Sequence, residues 1–290
     1  VYLIWSVPVV VGLAALEALF LAFKARQRYN WRASLASLAD MLVREFAVNR
    51  LLGYSLIAPL IALAWAHRLT TIEIGTVSSI LLLFFGQEFC YYWFHRASHR
   101  IRWFWASHAV HHSPNELNLS ASYRFGWTGR ITGTSIFFVP MIWLGFAPVA
   151  VFTTLALNLL YQFMLHATWI PKLGWFEYVF NTPSHHRVHH ASNDEYLDAN
   201  YGGVLIVFDR LFGSYVEERE DLPCVYGLTK PIHSNNPVYI AFHEWIAMGR
   251  DIWRAESWRE RVLRVVGPPG WTPGKQTRAS LARPAMQAAE

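Results

Sequence analysis

Ten of the thirteen histidines lie between residues 95 and 190, and most of them are closely spaced. His95 and His99 are four residues apart, and the segments HAVHH (108–112) and HHRVHH (185–190) both contain the spacing i, i+3, i+4. On a helix, residues three and four positions apart lie on one face. Because neutral imidazole is the commonest metal ligand among side chains, these clusters predict a metal centre.

The number of clustered histidines indicates two metal ions. A structural zinc site uses four protein ligands and a catalytic one uses three, fewer than this chain offers. The zinc-protease motif H-E-x-x-H is absent, because HEWIA at residue 243 lacks the second histidine, and the haem motif C-x-x-C-H is also missing. Two non-haem irons fit best, and such a pair is suited to activating dioxygen. We expect His67, His233 and His243, which stand alone, to be ordinary core residues.

The rest of the chain is typical of an integral membrane protein. Hydrophobic residues make up 53% of the 290 positions and charged residues 16%, below the charge content of soluble domains. Five apolar runs approach or reach the length of about 20 residues that spans a bilayer. These runs are residues 2–23, 51–66, 74–94, 131–145 and 147–165. The second and fourth are marginal in length and are predicted to be arms of helical hairpins.

The predicted fold is an all-α integral membrane bundle of four to five membrane helices, with a cytosolic helical cap that carries the histidines. Two hairpins, 51–94 and 131–165, turn near AHRLTTIEIG and GFAP. The first run lacks a cleavage site and is interpreted as an anchor. We expect one catalytic domain over residues 1–266 and a loosely structured tail over 267–290. Cys90 and Cys224 are too few for a disulfide framework.

Basic residues predict which ends of the helices face the cytoplasm. They cluster at Lys24, Arg26, Arg28, Arg32, Arg44, Arg50, Arg96, Arg100 and Arg102. His95 ends one apolar run and His166 ends another, so the histidines should converge on the cytoplasmic face of a bacterial inner membrane or the endoplasmic reticulum. The net charge of +5 indicates attraction to anionic lipid headgroups and not nucleic-acid binding, because the basic residues flank apolar runs.

The motifs FHRASHR, HAVHH and HHRVHH, in this order, resemble the three histidine boxes of the fatty acid hydroxylase and sterol desaturase superfamily. The resemblance extends over about residues 80–216. The segments YQFMLHATWIPKLGWFEYVFNTPSHHRVHH and NYGGVLIVFDRLFGSY are most similar to the alkylglycerol monooxygenase branch and its bacterial relatives. This resemblance implies a membrane di-iron oxygenase that uses O2 to hydroxylate or desaturate a C–H bond of a long-chain lipid, such as an alkylglycerol, an acyl lipid or a sterol-like molecule.

The resemblance also implies a ligand set and an electron source. The metal ligands would be His95, His99, His108, His111, His112, His166, His186, His189 and His190. The chain has no sequence signature of its own for a redox cofactor, so electrons would come from an external reductant. The alkylglycerol branch implies a tetrahydropterin, and the sterol branch implies an electron-transfer protein.

Further polar residues are candidates for supporting the ligands by accepting the second ring N–H of an imidazole. They are Glu88, Asn118, Asp198, Asn200 and Asp209, with His185 as a possible tenth ligand or a supporting group. Other members of the family have an acidic residue where this chain has Arg100. The glycines of NYGG (200–203) would allow close backbone approach. Four aromatic residues are expected to shape the substrate entrance, namely Trp93, Trp103, Trp105 and Tyr161.

A second function class remains open on these observations. The histidines could belong to a metal-handling membrane protein, either a transporter or a zinc hydrolase. Ligands of a transporter are expected near the middle of the membrane, whereas these histidines follow the ends of apolar runs. The sequence therefore favours the oxygenase, and a measurement of the bound metal would distinguish it from the transporter or zinc hydrolase.

Overall fold

The computed structural model describes residues 7–24, 29–52 and 55–274. Over these residues the chain is all-helical, with isolated β-bridges and no strand, which confirms the predicted all-α class. The α-helices in chain order are α1 (Val7–Leu19), α2 (Trp31–Val43), α3 (Asn49–Leu52), α4 (Ala58–Ala66), α5 (Val77–Arg100), α6 (Arg102–His108), α7 (Gly129–Thr132), α8 (Val139–Leu144), α9 (Pro148–Leu165), α10 (Pro183–His190), α11 (Val207–Leu211), α12 (Pro237–Arg254) and α13 (Trp258–Val266).

The long helix α5 carries both an apolar segment and the first histidine box. It begins at a capping box, in which the Thr76 hydroxyl accepts from the Ser79 N–H and the Ser79 side chain accepts from the Thr76 N–H. The apolar run predicted over 74–94 ends before His95, but the helix continues to Arg100. One rigid element therefore fixes His95 and His99 relative to the apolar segment.

The two predicted hairpins turn at the same end of the molecule. Ile72 and Phe146 form a parallel bridge, and the Ile72 N–H donates to the Gly145 carbonyl at 3.0 Å. Gly145 has a φ of 132°, which favours glycine because it has no Cβ. Helix α9 then starts with Pro148 in its first turn and ends against His166. This places His166 at the opposite end from the turn.

The marginal runs form shorter helices than the patterns predicted. The second run is helical over Ala58–Ala66 and over Asn49–Leu52. The fourth run breaks at Gly133, whose φ is 81°, into α7, a 3₁₀ turn over Thr134–Phe138, and α8. Among the described residues, α9 is the helix that is long and apolar enough to cross a membrane, whereas Val7–Phe23 and Thr134–Leu144 are shorter apolar helices. The count of four to five membrane helices stays a prediction.

Three sets of packing contacts hold the elements that carry the histidines. Apolar residues of α5, α8 and α9, including Leu83, Ile142 and Val151, form the main core. The α1–α2 pair covers the loop after the second box, where Ala14 and Met41 pack with a cluster that includes Leu119 and Tyr123. Helices α12 and α13 pack against α6 on another side.

Some sequence predictions fall outside the described residues. They are the start of the first run (2–6), Arg26 and Arg28, part of the second run (53–54) and most of the predicted tail (275–290). The described beginning of the tail folds back, because the Arg264 guanidinium donates to the Trp271 carbonyl at 3.0 Å.

Candidate metal centre

The structure brings together all nine histidines of the predicted ligand set in two adjacent groups. The five-histidine group is His95, His99, His108, His112 and His189, and the four-histidine group is His111, His166, His186 and His190. Within each group, the candidate ligand nitrogens all lie within 4.8 Å of one another. The groups touch, since the rings of His112 and His190 stack with centroids 4.4 Å apart.

The second and third histidine boxes each divide between the groups by a simple rule, whereas His95 and His99 of the first box both belong to the five-histidine group. Residues four apart stay together, as His108 and His112 do in one group and His186 and His190 in the other. The intervening histidine crosses over, so that His111 joins the four-histidine group and His189 joins the five-histidine group. The third box lies on α10, but α6 ends at His108, so a non-helical turn carries His111 and His112. The boxes are therefore interlocked and are not separate sites.

The ring nitrogens approach each other in a way that hydrogen bonding cannot explain. The Nε2 atom of His108 lies 3.0, 3.1 and 3.2 Å from the Nε2 atoms of His95, His99 and His112. A neutral imidazole nitrogen carries either one proton or one lone pair, so it cannot satisfy three such neighbours. In the second group, His186 Nε2 lies 3.3 Å from His166 Nε2 and 3.1 Å from His190 Nε2.

Backbone carbonyls fix which nitrogen of several rings carries the proton. The Nδ1 atoms of His95, His111, His166 and His189 lie 2.8–3.1 Å from the carbonyl oxygens of Tyr201, Arg124, Gln162 and Ala199, respectively. A carbonyl oxygen only accepts, so each of these Nδ1 atoms is the donor and the corresponding Nε2 presents its lone pair. The facing Nε2 lone pairs would repel one another without a cation between them.

An unpartnered atom and the electrostatics agree with a cation bound by these histidines. Among the described residues, His189 Nε2, which belongs to the five-histidine group, is buried without a hydrogen-bond partner, which is costly for a polar atom. Burial lowers the pKa of His111 to about 4 and the pKa of His189 to about 3. Both rings are thus neutral at pH 7, the form that binds a metal without first releasing a proton.

A loop over residues 199–205 supports the five-histidine group. Its carbonyls at Ala199 and Tyr201 accept from His189 and His95. The Asp209 carboxylate accepts from the N–H groups of Tyr201 and Gly202, both at 2.7 Å. We call this segment the carbonyl loop.

The Glu88 carboxylate holds the far end of the carbonyl loop by accepting from the Val204 and Leu205 N–H groups at 2.8 and 2.9 Å. In the described structure neither the Glu88 nor the Asp209 carboxylate hydrogen-bonds to an imidazole, so each acts on the histidines through the loop. Both residues were expected to support the ligands, but through direct contacts with the imidazoles. Support through backbone carbonyls leaves no signature in the sequence, because every residue has a backbone carbonyl.

The other polar candidates lie in different surroundings. The Asn118 side chain caps a 3₁₀ turn by accepting from Ala121 N–H at 3.2 Å. Asn200, at a φ of 56°, donates to the Val216 carbonyl at 2.7 Å and to the His185 carbonyl at 3.1 Å. Asp198 is the candidate carboxylate beside a ligand, with its Oδ1 3.8 Å from His99 Nδ1.

Asp198 also pairs with Arg100 at 2.9 Å. An acidic group is therefore present in space near the first box, although Arg100 occupies the sequence position where other family members have an acid. Asp198 reaches this place because its backbone adopts a φ of 60°, a left-handed conformation that Asp tolerates better than most residues.

The structure places His185 outside both groups. Its ring is buried, contacts Tyr215 at a centroid distance of 5.5 Å, and has no hydrogen-bond partner for either nitrogen among the described residues. His67, His233 and His243 also lie outside the groups. The expectation that these three are core residues is wrong, because His67 and His233 are exposed and His243 is half-buried.

The four aromatic residues predicted at the substrate entrance do not meet at one place. Trp105 contacts the five-histidine group through His99 and His112. Trp103 stacks edge-on against Trp245, Trp93 contacts Phe212, and the Tyr161 hydroxyl donates to the Asn181 carbonyl.

Sequence reasoning also missed two polar residues of α9. Asn158 donates to Glu88, and Gln162 donates to Asn158 and accepts from the Tyr91 hydroxyl. The Gln162 carbonyl then accepts from His166. Their spacing of four residues inside an apolar run was an available signal, because buried polar residues in such runs usually serve a function.

The site is thus two adjacent groups of mostly buried histidine nitrogens, each of which could hold a metal ion. Imidazole suits divalent iron, zinc and copper, so the donor set fits iron but does not by itself select it. The close contact between the two groups makes them parts of one centre.

Comparisons with known proteins agree with this assignment. Residues 80–214 match the family model for fatty acid hydroxylase. The chain is 39% identical over 199 residues to alkylglycerol monooxygenase of Homo sapiens, covering 66% of this chain and 42% of that protein. It is 39% identical over 202 residues to alkylglycerol monooxygenase of Danio rerio, covering 69% and 44%. An ornithine lipid hydroxylase of Rhizobium tropici is 30% identical over 129 residues, covering 44% and 39%.

The chain spans less than half the length of these curated relatives. No solved structure matches it significantly. The family match contains all three boxes and confirms the resemblance seen in the sequence. The histidine-box region of this chain belongs to the fatty acid hydroxylase family, with relatives among the alkylglycerol monooxygenases.

Proposed function

We propose that this protein is a membrane-bound, iron-dependent oxygenase that hydroxylates a C–H bond of a long-chain lipid. The observation that carries the proposal is the convergence of nine histidines in two touching groups, within a region that matches the fatty acid hydroxylase family. The relatives named as alkylglycerol monooxygenase and ornithine lipid hydroxylase support a lipid substrate and favour hydroxylation over desaturation.

We assign one iron to each histidine group. All nine histidines of the two groups act as ligands in this proposal, while His185 does not, because its ring lies elsewhere. A bound iron pair supplies the activation of O2 and the removal of hydrogen from the lipid. An external reductant, either a tetrahydropterin or an electron-transfer protein, is required because one oxygen atom of O2 must leave as water.

The protein residues contribute geometry and control of protonation. The Ala199 and Tyr201 carbonyls hold His189 and His95 in the tautomer that presents Nε2, and Gln162 does the same for His166. Burial keeps the imidazoles neutral and excludes water from the centre. Such support through hydrogen bonds affects metal affinity in proteins by about 10–100-fold.

Helices α5 and α9 have exposed apolar surfaces that extend towards the metal centre, and we assign these surfaces to contact with the lipid. Phe85 and Phe89 of α5 and Leu157 and Leu160 of α9 are exposed apolar residues on helices that end at histidines. An alkyl chain lying along these helices would bring its C–H bonds towards the metal ligands. The centre would face the cytoplasm, as the distribution of basic residues predicts.

Metal content tests the proposal most directly. We expect about two irons per chain after expression with sufficient iron, one for the five-histidine group and one for the four-histidine group. Iron should fall in the His189→Ala variant and stay unchanged in His67→Ala, which alters an exposed histidine outside the groups. Zinc in place of iron, or no iron at all, would favour the metal-handling transporter or hydrolase.

Lipid analysis tests the reaction. Cells that express the protein should accumulate lipids heavier by one oxygen atom, and cells with the His189→Ala variant should not. Loss of two hydrogens without a gain of oxygen would assign desaturation. An unchanged lipid profile with iron fully bound would contradict the lipid hydroxylase.

A further inference from the structure

Helices α12 and α13 lie outside the family-matched region and have a surface that the metal centre does not use. Helix α12 buries Ile240, Ala241 and Met248 against the rest of the protein. Its other side has exposed apolar residues at Tyr239, Phe242, Ile246 and Trp253. At 100° per residue these four positions fall within about 60° of one another, on the side opposite the buried face.

The short helix α13 continues this surface. Trp258, Val262 and Val266 are exposed and follow the spacing i, i+4, i+8, so they lie along one face. Trp253 is 88% exposed and Trp258 is 76% exposed, and both flank the turn between the helices. We call the exposed residues of the two helices the C-terminal amphipathic surface.

Arginines border this apolar surface. They are Arg250, Arg254, Arg259 and Arg261, all exposed. The acidic residues of these helices are mostly neutralised by arginines, since Glu244 and Asp251 pair with Arg102 of α6 and Glu260 pairs with Arg264. Glu256 is the exposed acidic residue at the turn. The outward surface is therefore apolar and positively charged.

The contacts of α12 place it where an apolar run begins. Phe242 packs edge-on against Trp127 at 6.0 Å, and Trp245 packs against Trp103 at 5.0 Å and donates to the Thr128 hydroxyl. The apolar run over 131–145 starts a few residues later in the chain. Tryptophans concentrate at the boundary between membrane and water, and Trp103, Trp127 and Trp245 all take part in these contacts.

From these observations we propose that the C-terminal amphipathic surface rests on the surface of an anionic bilayer. Its tryptophans and aliphatic residues enter the headgroup region, and its arginines bind acidic lipid headgroups. An amphipathic helix with basic residues on its polar border and aromatic residues on the other face is typical of such interfacial contact. This contact is independent of the metal centre and of the reaction.

The test uses the full chain in lipid nanodiscs. A fluorophore that reports its surroundings is attached at Trp253→Cys in a Cys224→Ser background, and lipids with brominated acyl chains serve as quenchers. The replaced side chain is 88% exposed, so folding should be unaffected. We expect stronger quenching in bilayers that contain phosphatidylglycerol than in phosphatidylcholine alone. A label at Glu220→Cys, on an exposed turn outside these helices, gives the unquenched reference.

Changing Arg250, Arg254, Arg259 and Arg261 to Gln should abolish the difference between the two bilayers, whereas Arg219→Gln with Lys230→Gln should preserve it. Iron content, measured in parallel, should stay constant in all variants. Quenching by aqueous iodide in both bilayers, without quenching by brominated lipid, would overturn the proposal. If protection of the label from iodide rises with protein concentration in detergent, the surface binds a second copy of the chain, and this result would also overturn the proposal.

Discussion

At the scale of single residues, neighbouring histidines serve different groups. His111 and His112 are adjacent in sequence, yet one contributes to the four-histidine group and the other to the five-histidine group. The turn after α6 makes this possible, because consecutive side chains of a turn point in different directions. The interlocking means that a single box cannot fold around its own metal.

This division gives a prediction about metal stoichiometry. His111→Ala and His112→Ala should each remove about half of the bound metal, because each deletes one ligand from one group and a site with fewer ligands binds more weakly. The His111→Ala loss should be the larger, since its group has four histidines and the other has five. Metal analysis of the purified variants checks this, and total loss from both single variants would show that the groups cannot fill separately.

Asp40 of α2 gives a prediction about pH. Its carboxylate is fully buried and accepts from the Phe125 N–H at 3.3 Å, and Phe125 stacks on His111. Burial raises the pKa of Asp40 from 3.8 to about 7, against the opposing effects of Arg44 and Arg124. The folded state therefore binds the proton more tightly than the unfolded state does. This stabilisation is complete below about pH 4 and is lost as the pH rises through 7.

We expect the melting temperature of the protein to fall as the pH rises from 4 to 8, with a total contribution from Asp40 of about 4 kcal/mol, of which about 1.4 kcal/mol is lost between pH 6 and pH 8. Asp40→Asn keeps an acceptor for Phe125 and should remove this part of the pH dependence. Glu45→Gln, which alters a half-exposed carboxyl group next to the same helix, is the control and should leave the dependence in place. A variant that melts with the same pH profile as the original chain would contradict the assignment.

At the scale of elements, the carbonyl loop connects parts of the chain that are distant in sequence. Glu88 of α5 and Asp209 of α11 hold its backbone, and Asn181 donates to the carbonyls of Gly202 and Gly203. Gly203 leaves no space for a Cβ, because that atom would collide with the Asn158 side chain. The expected close backbone approach at NYGG is therefore present, and the neighbour is a side chain of α9.

Gly203→Ala should displace Asn158 and weaken its contact with Glu88. Disruption of one buried hydrogen bond to a charged group costs about 1.5–3 kcal/mol, so the unfolding transition should shift to lower temperature and metal should bind less tightly. Gly249→Ala, in a helix with open space around the new methyl group, is the matched control and should be neutral or slightly stabilising. Equal stability of both variants would show that the contact has no such role.

At the scale of the whole molecule, the C-terminal helices are tied to the metal centre through α6. The guanidinium of Arg102 donates to Glu244 at 2.8 Å and to Asp251 at 2.7 Å, and its backbone N–H donates to the Gly267 carbonyl. Helix α6 ends at His108. The Arg102 contacts therefore anchor the C-terminal helices to the element that precedes the second histidine box.

Arg102→Gln should destabilise the protein by about 1–3 kcal/mol, because Glu244 loses its partner and the partly exposed Asp251 keeps only Arg264 at 3.9 Å. Arg219→Gln breaks an ion pair at the exposed surface and should have no measurable effect. Chemical unfolding monitored by tryptophan fluorescence compares the two variants. A similar midpoint for both would mean that α12 is held by its apolar face alone.

The sequence by itself determined the helical class, the identity of the nine clustered histidines and the family. Periodic spacing and composition are local properties, so they can be read without knowing which segments meet. The same reasoning could place His95 and His166 at the ends of apolar runs, because such a run stops where polar residues begin. It also indicated the two hairpin turns, whose glycine, proline and polar residues interrupt the apolar runs.

Only the tertiary structure decided how the histidines are divided, and it corrected the direct contacts expected of Glu88 and Asp209. It showed that backbone carbonyls orient the rings, that Asp198 brings an acidic group beside the first box, and that His185 is apart from the centre. Backbone carbonyls are identical in every residue, and contacts across 100 positions depend on how the helices pack. For this reason the spacing of residues identified the donors, whereas the packing of the chain arranged them around the metal centre.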